Sequence, residues 1–382
     1  MIYYSKQSIS QEDIDAVVDV LKSDLITQGP VALQFEAAMC GYTGASHAIA
    51  CSHGTAALHL ACLALNIGKG DHVWTSPNSF VASANCALYC GAEIDFVDID
   101  PNTLNISVAA LSEKLEQRKK LHKLPKALIL VHFAGNPCDM KAIHRLSIEY
   151  SFSIIEDASH ALGASYQNRK IGDCYYSDIT VFSFHPVKSI TTGEGGMLMT
   201  NSKRLADTAR LYANHGITRN RAEFDNQQEG EWFYEQKVLG FNYRITDIQA
   251  ALGLSQLKHL DQFVAKRKTI AGFYTHELVG LPICIQQLTQ DSCSSHHLYT
   301  ISVQNGKFAE KEKIYQQMKA EGIICNCHYI PIHLQPYYQV KGFNKGDYPN
   351  AEAYYASSLS LPIYPDLKDE DFVVKTLKHI LD

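Results

Sequence analysis

The sequence predicts an α/β protein with a large domain, in which helices cover a mostly parallel sheet, and a smaller C-terminal α+β domain. Through the first two thirds of the chain, short apolar runs alternate with segments whose apolar residues recur at helical spacing. This alternation is typical of parallel strands joined by helices that cover both faces of the sheet. After about residue 260, helical stretches are interleaved with short strands, so we expect a large domain over residues 1–260, including the N-terminal segment, and a small domain over residues 261–382.

The individual elements follow in order along the chain. Ser10 is a suitable cap for a first helix over 11–24, and a second helix is expected from Pro30 to Cys40, ended by Gly41. The remaining helices are predicted over 55–66, 79–90, 141–150, 260–278 and 307–321, and the strands over 47–51, 72–75, 93–98, 127–131, 153–156, 180–184, 197–200, 298–303 and 323–329.

Composition limits the class of protein. The 382 residues are 46% hydrophobic and 19% charged, which predicts a folded chain with a sizeable core. The net charge is −6 and no block of lysine and arginine occurs, so we do not expect a nucleic-acid or anionic-membrane binder. Apolar stretches are far shorter than the ~20 residues that span a bilayer. The N-terminus lacks the form of a secretion signal, and we therefore expect a cytoplasmic location.

The cysteines do not predict disulfides or a metal site. Eleven cysteines are scattered through predicted helices and strands, whereas a disulfide framework is typical of short secreted chains. Cys325, Cys327 and His328 could be read as soft metal ligands, but no second pair follows at zinc-finger spacing. Two thiols two positions apart on a strand point to the same side. We interpret them as free buried thiols and predict no metal site.

Three segments combine polar residues with the ends of predicted strands. The segment from Ser52 to Leu58 leaves a strand and opens a helix, where free backbone N–H groups can hold a phosphate. Asp157 follows the strand over 153–156, and Lys188 follows the strand over 180–184 ahead of a glycine-rich turn. Taken singly, the first is better explained as an ordinary capped turn, the acid could equally be a helix cap or a solvated residue, and most lysines in such loops lie at the surface.

Taken together, the three segments meet the needs of pyridoxal 5′-phosphate (PLP). This cofactor requires a lysine for a Schiff base, a carboxylate facing the pyridine nitrogen, an aromatic face over the ring, and donors for the phosphate. Lys188, Asp157 and Phe80 supply the first three, and the turn at Gly54 with Ser183 supplies the donors. Burial lowers the pKa of a lysine and frees its amine to attack a carbonyl. The combination predicts a PLP site at the carboxyl edge of the sheet.

The same residues lie in longer motifs that resemble the DegT/StrS family of PLP-dependent sugar aminotransferases. The resemblance covers nearly the whole chain. It is strongest in Ser-x-Gly-Thr-Ala-Ala-Leu, Glu-Asp-Ala-Ser-His-Ala-Leu-Gly, Ser-Phe-His-Pro-x-Lys with Glu-Gly-Gly, and Asn-Tyr-Arg-x-x-Asp-x-Gln-Ala-Ala. The segments at 163–168, 295–299 and 328–332 are most similar to the branch of the family that serves pseudaminic acid synthesis. The resemblance implies fold type I of the PLP-dependent enzymes.

The resemblance also implies a role for individual residues. Lys188 would be the catalytic lysine, and the amide of Asn242 would reach the phosphate from the other subunit of a homodimer with shared sites. The other residues implied in cofactor binding are Gly54, Thr55, Ala56, Phe80, Asp157, His160 and Ser183, and those implied in substrate binding are Thr27, His185, Glu194, Arg244, His328 and Tyr329.

The implied reaction moves an amino group from L-glutamate to the C4 keto group of a nucleotide-linked 4-keto-6-deoxy sugar. The sugar implied first is UDP-2-acetamido-2,6-dideoxy-β-L-arabino-hexos-4-ulose, with perosamine-type or bacillosamine-type precursors as the alternative. Some relatives carry histidine in place of the lysine and act as dehydratases, whereas this chain keeps Lys188. A regulatory protein of the same fold would not need that lysine, and a desulfurase would need a reactive cysteine in a mobile loop, for which none of the cysteines is marked.

Overall fold

The computed structural model describes residues 1–226, 230–304 and 308–381. In these ranges the α-helices are α1 (Gln11–Leu21), α2 (Pro30–Thr43), α3 (Gly54–Ala64), α4 (Ala82–Tyr89), α5 (Val108–Lys119), α6 (Met140–Tyr150), α7 (Lys203–Ala213), α8 (Asp247–Leu257), α9 (Leu260–Glu277), α10 (Phe308–Ala320), α11 (Pro336–Gln339), α12 (Pro349–Ser357) and α13 (Glu370–Leu381). The strands are β1 (Ile2–Tyr3), β2 (His47–Cys51), β3 (His72–Thr75), β4 (Glu93–Phe96), β5 (Ala127–Val131), β6 (Ser153–Asp157), β7 (Ser165–Tyr166), β8 (Arg169–Lys170), β9 (Ile179–Ser183), β10 (Gly196–Thr200), β11 (Ile217–Thr218), β12 (Glu235–Gln236), β13 (Ile283–Ile285), β14 (Ser292–Cys293), β15 (Tyr299–Val303), β16 (Ile323–Ile324) and β17 (Ser358–Leu361).

The central sheet has seven strands in the order β2-β10-β9-β6-β5-β3-β4. Only β10 runs against its neighbours, and the other pairings are parallel. The carboxyl ends of β2, β3, β5, β6 and β9 therefore lie at one edge, which is also the edge where β10 begins. This arrangement confirms the predicted α/β class and brings the polar residues that follow the strands to one side of the sheet.

Helices bury both faces of the sheet. Successive residues of a buried strand point to opposite faces, and in β5 Leu128 and Leu130 join the core beneath α2, α5, α6 and α8, whereas Ile129 joins the core beneath α3, α4 and α7. All five residues of β5 are buried. A strand that is covered on both sides reads as a continuous apolar run, which is why 127–131 could be recognised from sequence.

The first two helices illustrate which end signals could be predicted. Ser10 caps α1 as expected, since its hydroxyl accepts a hydrogen bond from the Asp13 N–H and the Asp13 carboxylate accepts one from the Ser10 N–H. The prediction that Gly41 ends α2 is wrong. The helix continues to Thr43 and ends at Gly44, whose φ of 91° is the left-handed conformation that glycine adopts without strain.

The C-terminal part of the chain forms a separate core. An antiparallel sheet, β13-β15-β17, packs with α9, α10 and α13, and Ile2 of β1 packs against this core because β1 pairs with β16. Helix α9 carries Leu260 in a core of the large sheet and Tyr274 in the C-terminal core. The boundary between residues 260 and 261 stays a prediction.

Two expectations in this part need comment. The strand predicted over 323–329 is wrong in length, because regular pairing with β1 stops at Ile324 and only Asn326 then exchanges backbone hydrogen bonds with Ser360. Cys325 is buried, but Cys327 is half-buried with its sulfur 3.0 Å from the Lys311 amine. The helix predicted over 307–321 corresponds to α10, although residue 307 lies outside the described residues.

Candidate active site

A cavity of about 660 Å³ opens at the carboxyl edge of the central sheet. Its walls come from the ends of β6 and β9, the first turn of α3, the start of α4 and the loop after β9. The cavity is large enough for an organic cofactor together with part of a substrate. The predicted residues that line it are Gly54, Thr55, Ala56, Phe80, Asp157, His160, Ser183, His185, Lys188, Glu194 and Tyr329.

The first turn of α3 forms one wall and suits an anion. His53 occupies the N-cap position but its side chain makes no capping hydrogen bond, so the side chain does not compete for the first N–H groups of the helix. At Gly54 a Cβ atom would lie 2.8 Å from Cβ of Ser183, and only glycine permits this close approach of helix to strand. Backbone donors, the positive end of a helix dipole and the Ser183 hydroxyl thus face one place, as a bound phosphate requires.

Asp157 ends β6 and is held firmly in the cavity wall. It is only 6% exposed, and its Oδ2 atom accepts a hydrogen bond from Ser83 Oγ at 2.6 Å. Its Oδ1 atom accepts from the hydroxyl of Ser159 at 2.6 Å and from the Ser159 N–H at 3.2 Å. The hydroxyl of Ser83 is in turn 2.7 Å from that of Ser79, in the loop that precedes α4. The serines at 79, 83 and 159 were not predicted as site residues; the sequence signals were the i, i+4 spacing of the first two and the place of Ser159 in the Glu-Asp-Ala-Ser-His motif.

The neighbouring acid, Glu156, points to the other face of β6. Its Oε2 atom lies 2.7 Å from Nε2 of His132, and its Oε1 atom accepts hydrogen bonds from Ser177 at 2.5 Å and Thr180 at 2.8 Å. Both members of the Glu156–His132 pair are buried, and the hydrogen bonds to Glu156 hold the pKa of its carboxyl below the usual value despite burial. Two adjacent carboxylates therefore have different surroundings, one in the core and one in the cavity.

Lys188 lies on the loop between β9 and β10. Burial lowers the pKa of its amine to about 8, while the negative charge of Asp157 acts in the opposite direction. The loop is fixed by hydrogen bonds from the Lys188 N–H to the His185 carbonyl at 2.9 Å and from the Thr191 hydroxyl to the Phe184 carbonyl at 2.9 Å. An amine with this pKa is about one tenth uncharged at pH 7, far more than an ordinary lysine, and this fraction can act as nucleophile and base.

Aromatic rings, including those of His160 and Tyr329, form another wall of the cavity. Nε2 of His160 lies 3.0 Å from the Tyr329 hydroxyl, and the two rings are nearly parallel. Burial is the main cause that holds the pKa of His160 well below its usual value, and the positive charge of Lys188 adds to it. Nδ1 of His160 is buried and has no hydrogen-bond partner in the part of the chain that the structure describes. The ring centroid of His297 lies 4.4 Å from that of His160. His297 belongs to the segment 295–299 that carries the resemblance, but it was not predicted as a site residue.

Four predicted residues do not line the cavity. Thr27 pairs with Thr246 and is exposed. Asn242 is also exposed, and Arg244 donates a hydrogen bond to Asn214 at 2.5 Å. Tyr243, which lies between them, does line the cavity. His328 is buried beside Tyr329 and lies 2.8 Å from the Ser360 hydroxyl.

Two further properties bear on the class of protein. Over residues 1–226, 230–304 and 308–381, no group of three or more His, Cys, Asp or Glu side chains is arranged to hold a metal ion. In the same ranges, no helix has the length and apolar character needed to cross a membrane.

A model of one protein family matches almost the whole chain and decides which family it belongs to. The DegT/DnrJ/EryC1/StrS aminotransferase family matches residues 7–378. The chain belongs to this family. It is a PLP-dependent sugar aminotransferase, in agreement with the predicted fold, enzyme class and cofactor.

Individual relatives agree with this assignment. The UDP-4-amino-4,6-dideoxy-N-acetyl-β-L-altrosamine transaminase of Campylobacter jejuni serotype O:2 is 38% identical over 386 residues, which cover 100% of this chain and 98% of the relative. The structure of Helicobacter pylori PseC, an aminotransferase of pseudaminic acid biosynthesis, matches with a TM-score of 0.89 and 33% identity, covering 100% of this chain and 99% of the other. The PLP form of the sugar aminotransferase Spr1654 of Streptococcus pneumoniae has a TM-score of 0.90 and 28% identity, with coverage of 99% and 98%.

The cavity fits PLP on its own geometry. The turn at Gly54 offers donors to a phosphate, Asp157 is oriented by three hydrogen bonds, and the amine of Lys188 is poised for a carbonyl. The buried Nδ1 atom of His160 has no partner among the described residues, which is expected where a ligand atom completes the hydrogen bonding.

Proposed function

We propose that this protein transfers the amino group of L-glutamate to C4 of UDP-2-acetamido-2,6-dideoxy-β-L-arabino-hexos-4-ulose, in pseudaminic acid biosynthesis. The observation that carries the proposal is the joint presence of Lys188 and Asp157 in one cavity, combined with full-length similarity to transaminases of that substrate type.

In this proposal the cofactor is held by residues that approach from three sides. Thr55, Ala56 and Ser183 bind its phosphate at the start of α3, and Asp157 keeps a proton on its pyridine nitrogen. Phe80 covers the ring, and His160 approaches it through its free Nδ1 atom. When bound, PLP supplies an electron sink for the carbanion formed at the carbon that loses a proton.

The proton transfers are assigned to Lys188. Its uncharged amine accepts the proton from the α-carbon of glutamate in the first half of the reaction. In the second half, the same amine donates a proton to C4 of the sugar, so the nitrogen is delivered with defined stereochemistry. A pKa of about 8 suits both directions, because the amine can be protonated and deprotonated near neutral pH.

The sugar is proposed to enter past His185, Glu194 and Tyr329, which line the cavity beside Lys188. His328, whose ring packs against that of Tyr329, is proposed to hold Tyr329 in position. Thr27 and Arg244 are proposed to reach the sugar nucleotide from a neighbouring subunit, together with Asn242, which would reach the cofactor phosphate. Such an arrangement requires a homodimer whose two sites are each built by both chains.

The decisive experiment is a panel of nucleotide-linked 4-keto-6-deoxy sugars incubated separately with the enzyme and L-glutamate. We expect the UDP-linked L-arabino 4-keto sugar to give an amino product, identified by its mass, with the highest kcat/KM. The panel includes the perosamine and bacillosamine precursors, and a higher kcat/KM for either would overturn the proposed substrate. Failure of glutamate with every sugar, while another donor works, would overturn the donor alone.

A further inference from the structure

A second, much smaller cavity lies behind the loop that carries Lys188. It has a volume of about 10 Å³, close to the ~10–15 Å³ that a single water molecule needs. A site of this size suits a single water molecule or a single monoatomic ion. Its lining includes Lys6, Lys188, Ser189, Thr191, Gln256 and Arg267. We call it the Arg267 cavity.

The guanidinium of Arg267 is buried without a counter-ion. The residue is 1% exposed, and Nη1 donates hydrogen bonds to the carbonyls of His297 at 3.2 Å and Ile363 at 2.7 Å. Among the residues that the structure describes, no carboxylate lies within 4.0 Å of this guanidinium. Burial lowers the pKa of Arg267 to about 10, so the group is still positively charged at neutral pH. Buried charges in proteins are normally paired.

Two buried polar atoms of residues that line this cavity lack partners. Nε of Arg267 and the hydroxyl of Ser189, a residue that is 5% exposed, make no hydrogen bond within the described ranges. Thr191 and Gln256, which also line the cavity, already have partners, since Thr191 donates to the Phe184 carbonyl and Gln256 donates to Asp13 and the Ser8 carbonyl. Unsatisfied buried donors are rare and indicate an occupant that accepts hydrogen bonds.

The charge of the lining favours an anion over water. Lys6 and Arg267 bring positive charge to the lining, and none of the residues that line the cavity is acidic. We propose that the Arg267 cavity binds one small monovalent anion, chloride in ordinary solution, between the guanidinium of Arg267 and the hydroxyl of Ser189. The anion would neutralise the buried guanidinium and lie on the far side of the loop from the PLP cavity.

The direct test uses bromide in place of chloride. Crystals of the wild-type holoenzyme are soaked in sodium bromide, and diffraction data are collected above the bromine absorption edge. We expect an anomalous peak in the cavity within hydrogen-bond distance of Arg267 Nε and Ser189 Oγ. Electron density for a water molecule with no anomalous signal would overturn the proposal, and so would an empty cavity.

The second test measures the anion in solution. Thermal unfolding of the holoenzyme is followed while sodium chloride replaces sodium gluconate at constant ionic strength, since gluconate is too large for the cavity. We expect a saturable rise in Tm of about 2 °C for the wild-type protein, which Ser189→Ala reduces and Arg267→Met abolishes. Arg204→Met, a change at an exposed arginine, serves as the matched control and should keep the full response. An equal response in the wild type and the Ser189→Ala variant would overturn the site, even if Arg267→Met does not fold.

Discussion

Two parts of the candidate site differ in how completely one chain builds them. The sheet-edge part, consisting of the α3 turn, Asp157, Ser183 and Lys188, lies around a single cavity. The segment part, consisting of Thr27, Asn242 and Arg244, lies outside that cavity. Parallel strands bring their carboxyl ends together within one chain, whereas nothing in the local structure turns the segment residues inward. The topology of one chain gathers the residues that we propose for cofactor chemistry, and we propose that a partner subunit supplies the function of the others.

The largest effect is expected at the centre of the sheet-edge part. Lys188→Ala removes the amine that bonds to PLP and moves protons, so kcat should fall by about a thousand-fold or more. Turnover is measured with glutamate and the preferred sugar, and borohydride reduction followed by peptide mapping locates the labelled lysine in the wild type. Lys203→Ala, at an exposed lysine paired with Asp207, is the matched control and should leave kcat unchanged. A label on any lysine other than Lys188 would contradict the assignment.

The two adjacent acids of β6 offer a second test of the same part. Asp157→Asn should keep PLP bound but lower kcat by about 100-fold, because an amide cannot stabilise a proton on the pyridine nitrogen by charge. Glu156→Gln is the matched control, since it alters an acid of the core. It should leave kcat within about three-fold and lower the free energy of unfolding by about 3 kcal/mol, measured by denaturant titration. Equal kcat losses in the two variants would show that Asp157 acts through stability alone.

These acids also show what the sequence could predict. Strand positions followed from apolar runs, and β2, β3 and β5 begin and end where expected because each is bounded by polar or turn residues. The alternation of side chains along β6 explains why Glu156 and Asp157 diverge, but it does not say which acid faces the cavity. That choice depends on which face packs against His132 and which against Ser83, and neither neighbour is near in sequence.

Other site features could not be read from the chain for a similar reason. The pairing of His160 with Tyr329 joins residues 169 positions apart, and it depends on how the C-terminal core packs on the large sheet. The end of α2 at Gly44 rather than Gly41 was a choice between two glycines, decided by which one the helix places in the left-handed conformation. Local signals thus located elements and motif residues, whereas long-range packing determined their partners.

The segment part is tested by exchanging subunits. A Lys188→Ala protein and an Asn242→Ala/Arg244→Ala protein are each expected to be inactive or nearly so. If both chains contribute to each site, both defects fall in one site of a heterodimer and leave the other site intact. Random exchange should then restore activity to about a quarter of the wild-type sites. Heterodimers detected by native mass spectrometry without any gain in activity would place Asn242 and Arg244 in the same site as Lys188 of their own chain.

The smallest expected effect is the pH dependence of the rate of PLP capture, which follows the charge of Lys188. Only the uncharged amine can bond to the aldehyde of PLP, so the rate at which cofactor-free enzyme captures PLP should rise with pH and level off above about 8. Below that value the rate should fall about ten-fold for each pH unit, because the uncharged fraction does so. The rate is measured by the change in absorbance after rapid mixing, over a range of pH values.

The charge of Asp157 predicts the direction in which the pKa of Lys188 changes when this acid is replaced. Its negative charge favours the protonated amine and therefore raises the pKa of Lys188 against the larger effect of burial. In the Asp157→Asn variant the midpoint of PLP capture should move below that of the wild type, and the variant should capture PLP faster than the wild type at pH 7. A wild-type midpoint near 10 would mean that the amine is solvated like an exposed lysine. A midpoint that rises in the variant would mean that the two side chains do not interact as their positions in the cavity indicate.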